Sequence, residues 1–148
     1  GSVGRMDEEA QIRDARHEDA PALTALAVAL ALGTRPRADG VAVALAAMIE
    51  GQDVAVLVAD RGDGPVGYVA VHRFHALFAG GAVALVEELV VGTASRGEGI
   101  GSRLVTAAED VARWWGVSHL AVATGRATAF YEGRGYTPTA TFLRKQLF

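Results

Sequence analysis

The chain has 148 residues, 51% hydrophobic and 21% charged, with a formal net charge of −3, the profile of one globular domain rather than a disordered or fibrous chain. It has no cysteine, which excludes disulfides, thiolate metal sites and a cysteine nucleophile. No cluster of Lys and Arg offers a phosphate-binding surface, so nucleic acid is not an expected partner.

The polar start, GSVGRMDEEAQ, lacks the apolar segment of a secretory signal. A cytoplasmic location is therefore expected. Gly1 to Arg5 reads as a cloning remnant before Met6, residues 6–10 as flexible, and 1–148 as a single domain. Gln11 to Ala15 is a short strand candidate. Asp19 is placed to cap a helix with Pro21 in its first turn, running to about Leu32 and stopping at Gly33. Ala25 to Leu32 is the longest apolar stretch and is too short to cross a bilayer, which needs about 20 such residues. No membrane contact is expected; this helix reads as core or as contact with a second copy in a homodimer. Val41 to Glu50 reads as a second helix.

The hydrophobic period then changes. Asp53 to Asp60, Val66 to Phe74 and Val83 to Val91 read as strands joined by glycine turns. From Gly101 to Trp115 the apolar positions Leu104, Val105, Ala108, Val111, Ala112 and Trp115 follow helical spacing. Ser118 to Thr124 reads as a buried strand, Arg126 to Gly133 as a short helix, and Tyr136 to Phe148 as the last strand material. The order β-α-α-β-β-β-α-β-α-β is an α/β (α+β mixed) pattern. It calls for antiparallel hairpins first and a right-handed parallel crossover later.

Three glycines punctuate RGEGIG, Arg96 to Gly101, between a strand and a helix. A phosphate-binding P-loop would need Lys and then Ser or Thr after the last glycine, but Ser102 and Arg103 follow. A G-x-G-x-x-G dinucleotide fingerprint fails in both registers, and a G-x-S-x-G elbow is absent. What remains is Arg96-x-x-Gly99-x-Gly101. VEELVV (Val86–Val91) lies just upstream and AFYEGRGY (Ala129–Tyr136) downstream. With these three motifs in register, the chain resembles the GNAT superfamily of acetyl-CoA-dependent N-acetyltransferases over nearly its whole length from Gln11.

The resemblance implies a mixed, mostly antiparallel sheet of six to seven strands flanked by about four helices, with strands splayed at the cofactor site. It implies acetyl-CoA as cosubstrate. The pyrophosphate would meet the backbone of Arg96, Gly97, Glu98, Gly99, Ile100, Gly101 and Ser102 at the positive end of the helix. The pantetheine arm would bond to the backbone of Leu89, Val90 and Val91 like an added strand. Thr124 stands where many members carry an Asn that contacts the cofactor or caps a helix. Arg126 is a further candidate for coenzyme phosphate.

Acyl transfer to an amine needs a base, a polarised carbonyl and a proton for the departing thiolate. The resemblance points to Glu87 as base, with Glu88 as the alternative. Strand alternation sends the two glutamates to opposite faces unless a bulge intervenes. Tyr131 is the candidate acid, and the backbone N–H of Val90 the expected oxyanion donor. His72 and His75 lie near the acceptor side but lack a third ligand, so no metal is expected. The acceptor reads as a small-molecule amine, its specificity set by the first two helices and the loop from Arg73 to Gly81. Acetylation of protein amino termini or lysines, and acetyl-CoA sensing without turnover, are the alternatives.

Overall fold

The computed structural model describes residues 9–30, 37, 39–124 and 127–148. The expected cloning remnant, the end of the first helix at Leu32 and Gly33, and Arg126 lie outside these residues. Ala10, placed by the sequence in a flexible lead-in, is buried in the core.

Five strands form one sheet in the order β1-β2-β3-β4-β5: β1 (Gln11–Asp14), β2 (Val54–Asp60), β3 (Pro65–Ala76), β4 (Gly81–Val91) and β5 (Leu120–Val122). The first three pairings are antiparallel and the last is parallel, as the crossover through the long helix requires. Among the described residues four α-helices flank the sheet: α1 (Ala20–Ala27), α2 (Gly40–Glu50), α3 (Ile100–Trp115) and α4 (Thr128–Glu132).

The strands bury both faces, so the core has two halves. Leu57, Ala59, Val69, Val71, Ala84 and Val86 meet the stripe Ile100, Leu104, Ala108 and Ala112 of α3. Val56, Val58, Tyr68, Ala70 and Val90 meet Leu23 of α1 and Leu45 of α2. Residues 56 to 59 of β2 are all buried, hence its near-continuous apolar run. At Gly67 a Cβ would fall 2.8 Å from the Val90 carbonyl oxygen and 3.3 Å from Leu104 Cδ1. Glycine there lets α3 approach the sheet closely.

Two expectations are corrected. Tyr136 to Phe148 is not strand, so among the described residues the sheet has five strands rather than six or seven. Phe142, Leu143 and Leu147 of this segment are exposed. Strand preference describes a side chain packed on a pleated, half-buried surface, and after Tyr136 this segment is exposed throughout. Asp19 adjoins α1, but its carboxylate does not cap that helix. It accepts the Arg16 N–H at 2.8 Å and two N–H groups of Arg13 at 2.8 and 2.9 Å. Arg13 also donates to Asp60 at 2.9 Å. A buried carboxylate beside a guanidinium gains more from this bidentate pairing than from a neutral cap. The hydrogen bonds from Arg13 hold Asp19 below the usual carboxylate range.

Candidate active site

β4 changes partners along its length. On one side it pairs with β5, but only over Ala84, Leu85 and Val86. The last bond of that ladder runs from the Ala123 N–H to the Val86 carbonyl at 3.0 Å. Beyond Val86 this side of β4 has no strand beside it among the described residues, which is the splay expected of the fold.

The groups on the open side follow from the register. Gly92 N–H donates to the Val66 carbonyl at 2.7 Å, and Val90 stands opposite Tyr68. Hydrogen-bonded and non-bonded pairs alternate in an antiparallel ladder. Val90 therefore directs its N–H and C=O at β3, while Leu89 and Val91 direct theirs at the open side. The expected Val90 oxyanion donor is corrected on this point: its N–H is taken by the ladder. Leu89 offers its N–H and C=O there and Val91 its N–H, the Val91 carbonyl accepting from Arg96 Nε at 3.4 Å.

The register also slips between Ala70 and Val71, which face Glu88 and Val86, so Glu87 is an extra residue in β4. This β-bulge cancels one step of side-chain alternation. Ala84 and Val86 before it, and Leu89 and Val91 after it, all pack on the α3 side. Glu87 and Glu88 consequently share the opposite face, the one carrying Tyr68 and Ala70. Side-chain contacts agree. Tyr68 Oη donates to Glu88 Oε1 at 2.8 Å, and His72 Nε2 lies 3.9 Å from Glu87 Oε2. Glu87 is exposed and Glu88 half-buried. Burial first, then the adjacent Glu88 charge and hydrogen bond, push the Tyr68 hydroxyl far above its ordinary value.

After β4 the chain makes a short turn, Thr93–Ser95, and enters the glycine stretch. Arg96 folds back, its Nε 3.4 Å from the Val91 carbonyl oxygen. Gly97 and Gly99 have φ of +83° and +79°, a left-handed backbone that costs other residues about 1–2 kcal/mol. A Cβ on either would touch nothing within 4 Å. These positions are bare toward solvent. The first bond of α3 runs from the Arg103 N–H to the Gly99 carbonyl at 3.1 Å, leaving the amides of Ile100, Gly101 and Ser102 without intrahelical partners. A Cβ at Gly101 would lie 3.8 Å from Val91 Cγ2 and 3.9 Å from Phe130 Cζ. The helix start thus sits between the end of β4 and α4.

α4 carries Tyr131, buried and in edge contact with Phe130 and Tyr136, at centroid distances of 5.1 and 5.5 Å. Burial pushes its hydroxyl up to about 12, slightly offset by Arg134. No described residue hydrogen-bonds that hydroxyl. Thr124 Oγ1 accepts the N–H of Ala127, the residue just ahead of α4, at 2.9 Å, but the helix itself carries no side-chain cap.

This arrangement fits a pyrophosphate-bearing cosubstrate with an amide-rich arm. Unpaired strand groups, an uncovered glycine turn and free helix amides follow one another along a single path. Sequence reasoning missed Tyr68, whose place in VGYVAV reads as plain core. It also left the bulge open; only cross-strand register reveals it.

A model for "Acetyltransferase (GNAT) domain" matches residues 52–138. No curated protein matches the chain. Among solved structures, the chain is similar to a transcriptional regulator from Bacillus halodurans C-125, with 25% identity, TM-score 0.85, and 93% of this chain and 99% of that one covered. It is similar to an acetyltransferase from Trypanosoma brucei at 21% identity, TM-score 0.80, with 93% and 99% covered. It is also similar to glucosamine-6-phosphate N-acetyltransferase from Arabidopsis thaliana at 16% identity, TM-score 0.82, with 94% and 99% covered. With the family model spanning more than half of it, the chain belongs to the GNAT acetyltransferases.

Proposed function

We propose that the chain transfers the acetyl group of acetyl-CoA to the primary amine of a small molecule, by direct attack within a ternary complex. The observation that carries this reading is the double event in β4. Its parallel partner ends at Val86, and its bulge then turns two carboxylates onto one face beside the opening. Acetyl-CoA supplies an acyl group already activated as a thioester. The chain supplies the rest. Leu89 holds the arm through its N–H and C=O and Val91 through its N–H, and the amides of Ile100, Gly101 and Ser102 hold the pyrophosphate.

Glu87 is the base. It is the more exposed of the pair and can take the ammonium proton directly or through water. Glu88, fixed by Tyr68, is an acceptor that orients the amine. Tyr131 holds a proton at Oη for the departing thiolate. Its raised value keeps that proton in place at neutral pH. Two carboxylates in a chain of net charge −3 favour a cationic amine over an acidic acceptor. We place the acceptor over the face bearing His72, Glu87 and Glu88, and the protein in the cytoplasm.

The test is an acetyl-transfer screen over amino acids, polyamines, aminoglycosides and peptides, read by product mass. Acetylated small amines are expected. Acetylation confined to peptides would replace the small-molecule reading with protein acetylation. Binding of acetyl-CoA without any product would replace it with a sensor.

A further inference from the structure

Glu98 raises a difficulty for any anion held at the glycine turn. It stands between Gly97 and Gly99, in the middle of the cradle, and carries a negative charge where a pyrophosphate must approach. The structure answers with Arg61. Arg61 follows β2, in the turn between β2 and β3, and its Nη2 forms an ion pair with Glu98 Oε2.

Arg61 is aimed there by a rigid turn. Asp60, the preceding residue, accepts the N–H groups of Gly62 and Gly64 at 2.7 and 3.0 Å and is bridged to Arg13. The Arg61 side chain is about two-thirds covered, at 29% exposure. Its Nε is buried and has no hydrogen-bond partner among the described residues. The guanidinium is therefore wedged against the protein, with only its far end reaching the glycine turn. Glu98 is 45% exposed, flanked by two left-handed glycines with no Cβ contacts of their own. No other described residue is bonded to its side chain.

We propose that Arg61 is a positioning residue for the cofactor cradle. It neutralises Glu98 and draws its side chain aside, leaving the backbone amides clear for the pyrophosphate. It acts through Glu98 and does not itself touch the cofactor. This rests on the acetyl-CoA reading of the site above.

The test is CoA binding by calorimetry for the wild type, Arg61→Ala, Arg61→Lys, Glu98→Gln and the Arg61→Ala/Glu98→Gln pair, each first checked for cooperative unfolding without ligand. Arg61→Ala should weaken CoA by about two- to fivefold, the range of a partly exposed ion pair. Arg61→Lys should retain most of the affinity. The double variant should bind better than Arg61→Ala alone, because removing the charge on Glu98 removes the need for Arg61. In turnover, the KM for acetyl-CoA should rise in Arg61→Ala, with kcat at saturation within about twofold. Unchanged binding in Arg61→Ala would overturn the proposal. So would a double variant no better than Arg61→Ala, which would mean direct contact with a phosphate. A wild type that binds no CoA would overturn the acetyl-CoA reading itself, and this inference with it.

Discussion

Tyr68 on β3 donates a hydrogen bond of 2.8 Å to Glu88 on β4, and that bond exists because of a single extra residue. Without the bulge at Glu87, Glu87 and Glu88 would point to opposite faces and only one could meet an acceptor. With it, one carboxylate is tethered and its neighbour left free. The two should respond differently to mutation. Glu87→Gln should lower kcat about a hundredfold or more, the scale of a lost general base, with the KM for acetyl-CoA kept. Glu88→Gln and Tyr68→Phe should act mainly on the KM for the amine. Steady-state kinetics with both substrates varied would separate these cases.

Tyr131→Phe removes a hydroxyl and little volume from a buried ring. Turnover should fall, with acetyl-CoA affinity kept. Because the hydroxyl is pushed up to about 12, Tyr131 stays protonated well above neutral pH. A fall in kcat between pH 8 and 10 therefore belongs to another group and should persist in Tyr131→Phe. Tyr68, Tyr131 and Tyr136 all lie above their ordinary value of 10.0 in the fold. The unfolded chain releases these protons first, so stability should decline as pH rises past about 10. Chemical denaturation from pH 8 to 11 would show it.

The glycine turn makes a sharper demand. Gly99→Val puts a β-branched side chain on a left-handed backbone and a Cβ where the protein has nothing within 4 Å. The free domain should remain folded. The rise in melting temperature on adding acetyl-CoA should vanish, since that rise reports selective binding to the native state. Full retention of the rise would remove Gly97 to Ser102 from the cofactor site.

Arg13 binds Asp19 and Asp60 at once and joins β1, the approach to α1 and the β2–β3 turn. Arg13→Ala leaves a buried carboxylate, 5% exposed, without its cation. The expected cost is about 3–5 kcal/mol, read from urea unfolding. Both aspartates lie below their ordinary value of 3.8: Asp19 chiefly through Arg13, and Asp60 chiefly through the Gly62 N–H. Their contribution is present above about pH 4 and lost as pH falls below it. Wild-type stability should drop on acidification below pH 4, and Arg13→Ala should show a shallower drop.

These residues also mark how far sequence alone reaches. The glycine turn and the helix start are legible in Arg96 to Ser102 because left-handed turns and helix starts have local signatures. α3 is legible because its stripe repeats over many turns, and the parallel crossover follows from element order. Tyr68, the Glu87 bulge and the Arg61–Glu98 pair are not legible. Each depends on which residues of neighbouring strands or loops stand opposite each other, and register leaves no mark on a single strand. The Val90 donor fails for the same reason: the direction of its N–H is a property of the ladder. The tail from Tyr136 fails because its composition suits a strand, but it pairs with no strand among the described residues.

Amine-dependent release of free CoA thiol is the most direct measurement of the central claim. With acetyl-CoA and a reactive small amine, the wild type should release one thiol per acetylated amine, and Glu87→Gln should slow both together. Acetyl-CoA binding with no thiol release across the amine panel would contradict the claim and leave a cofactor-binding module in its place.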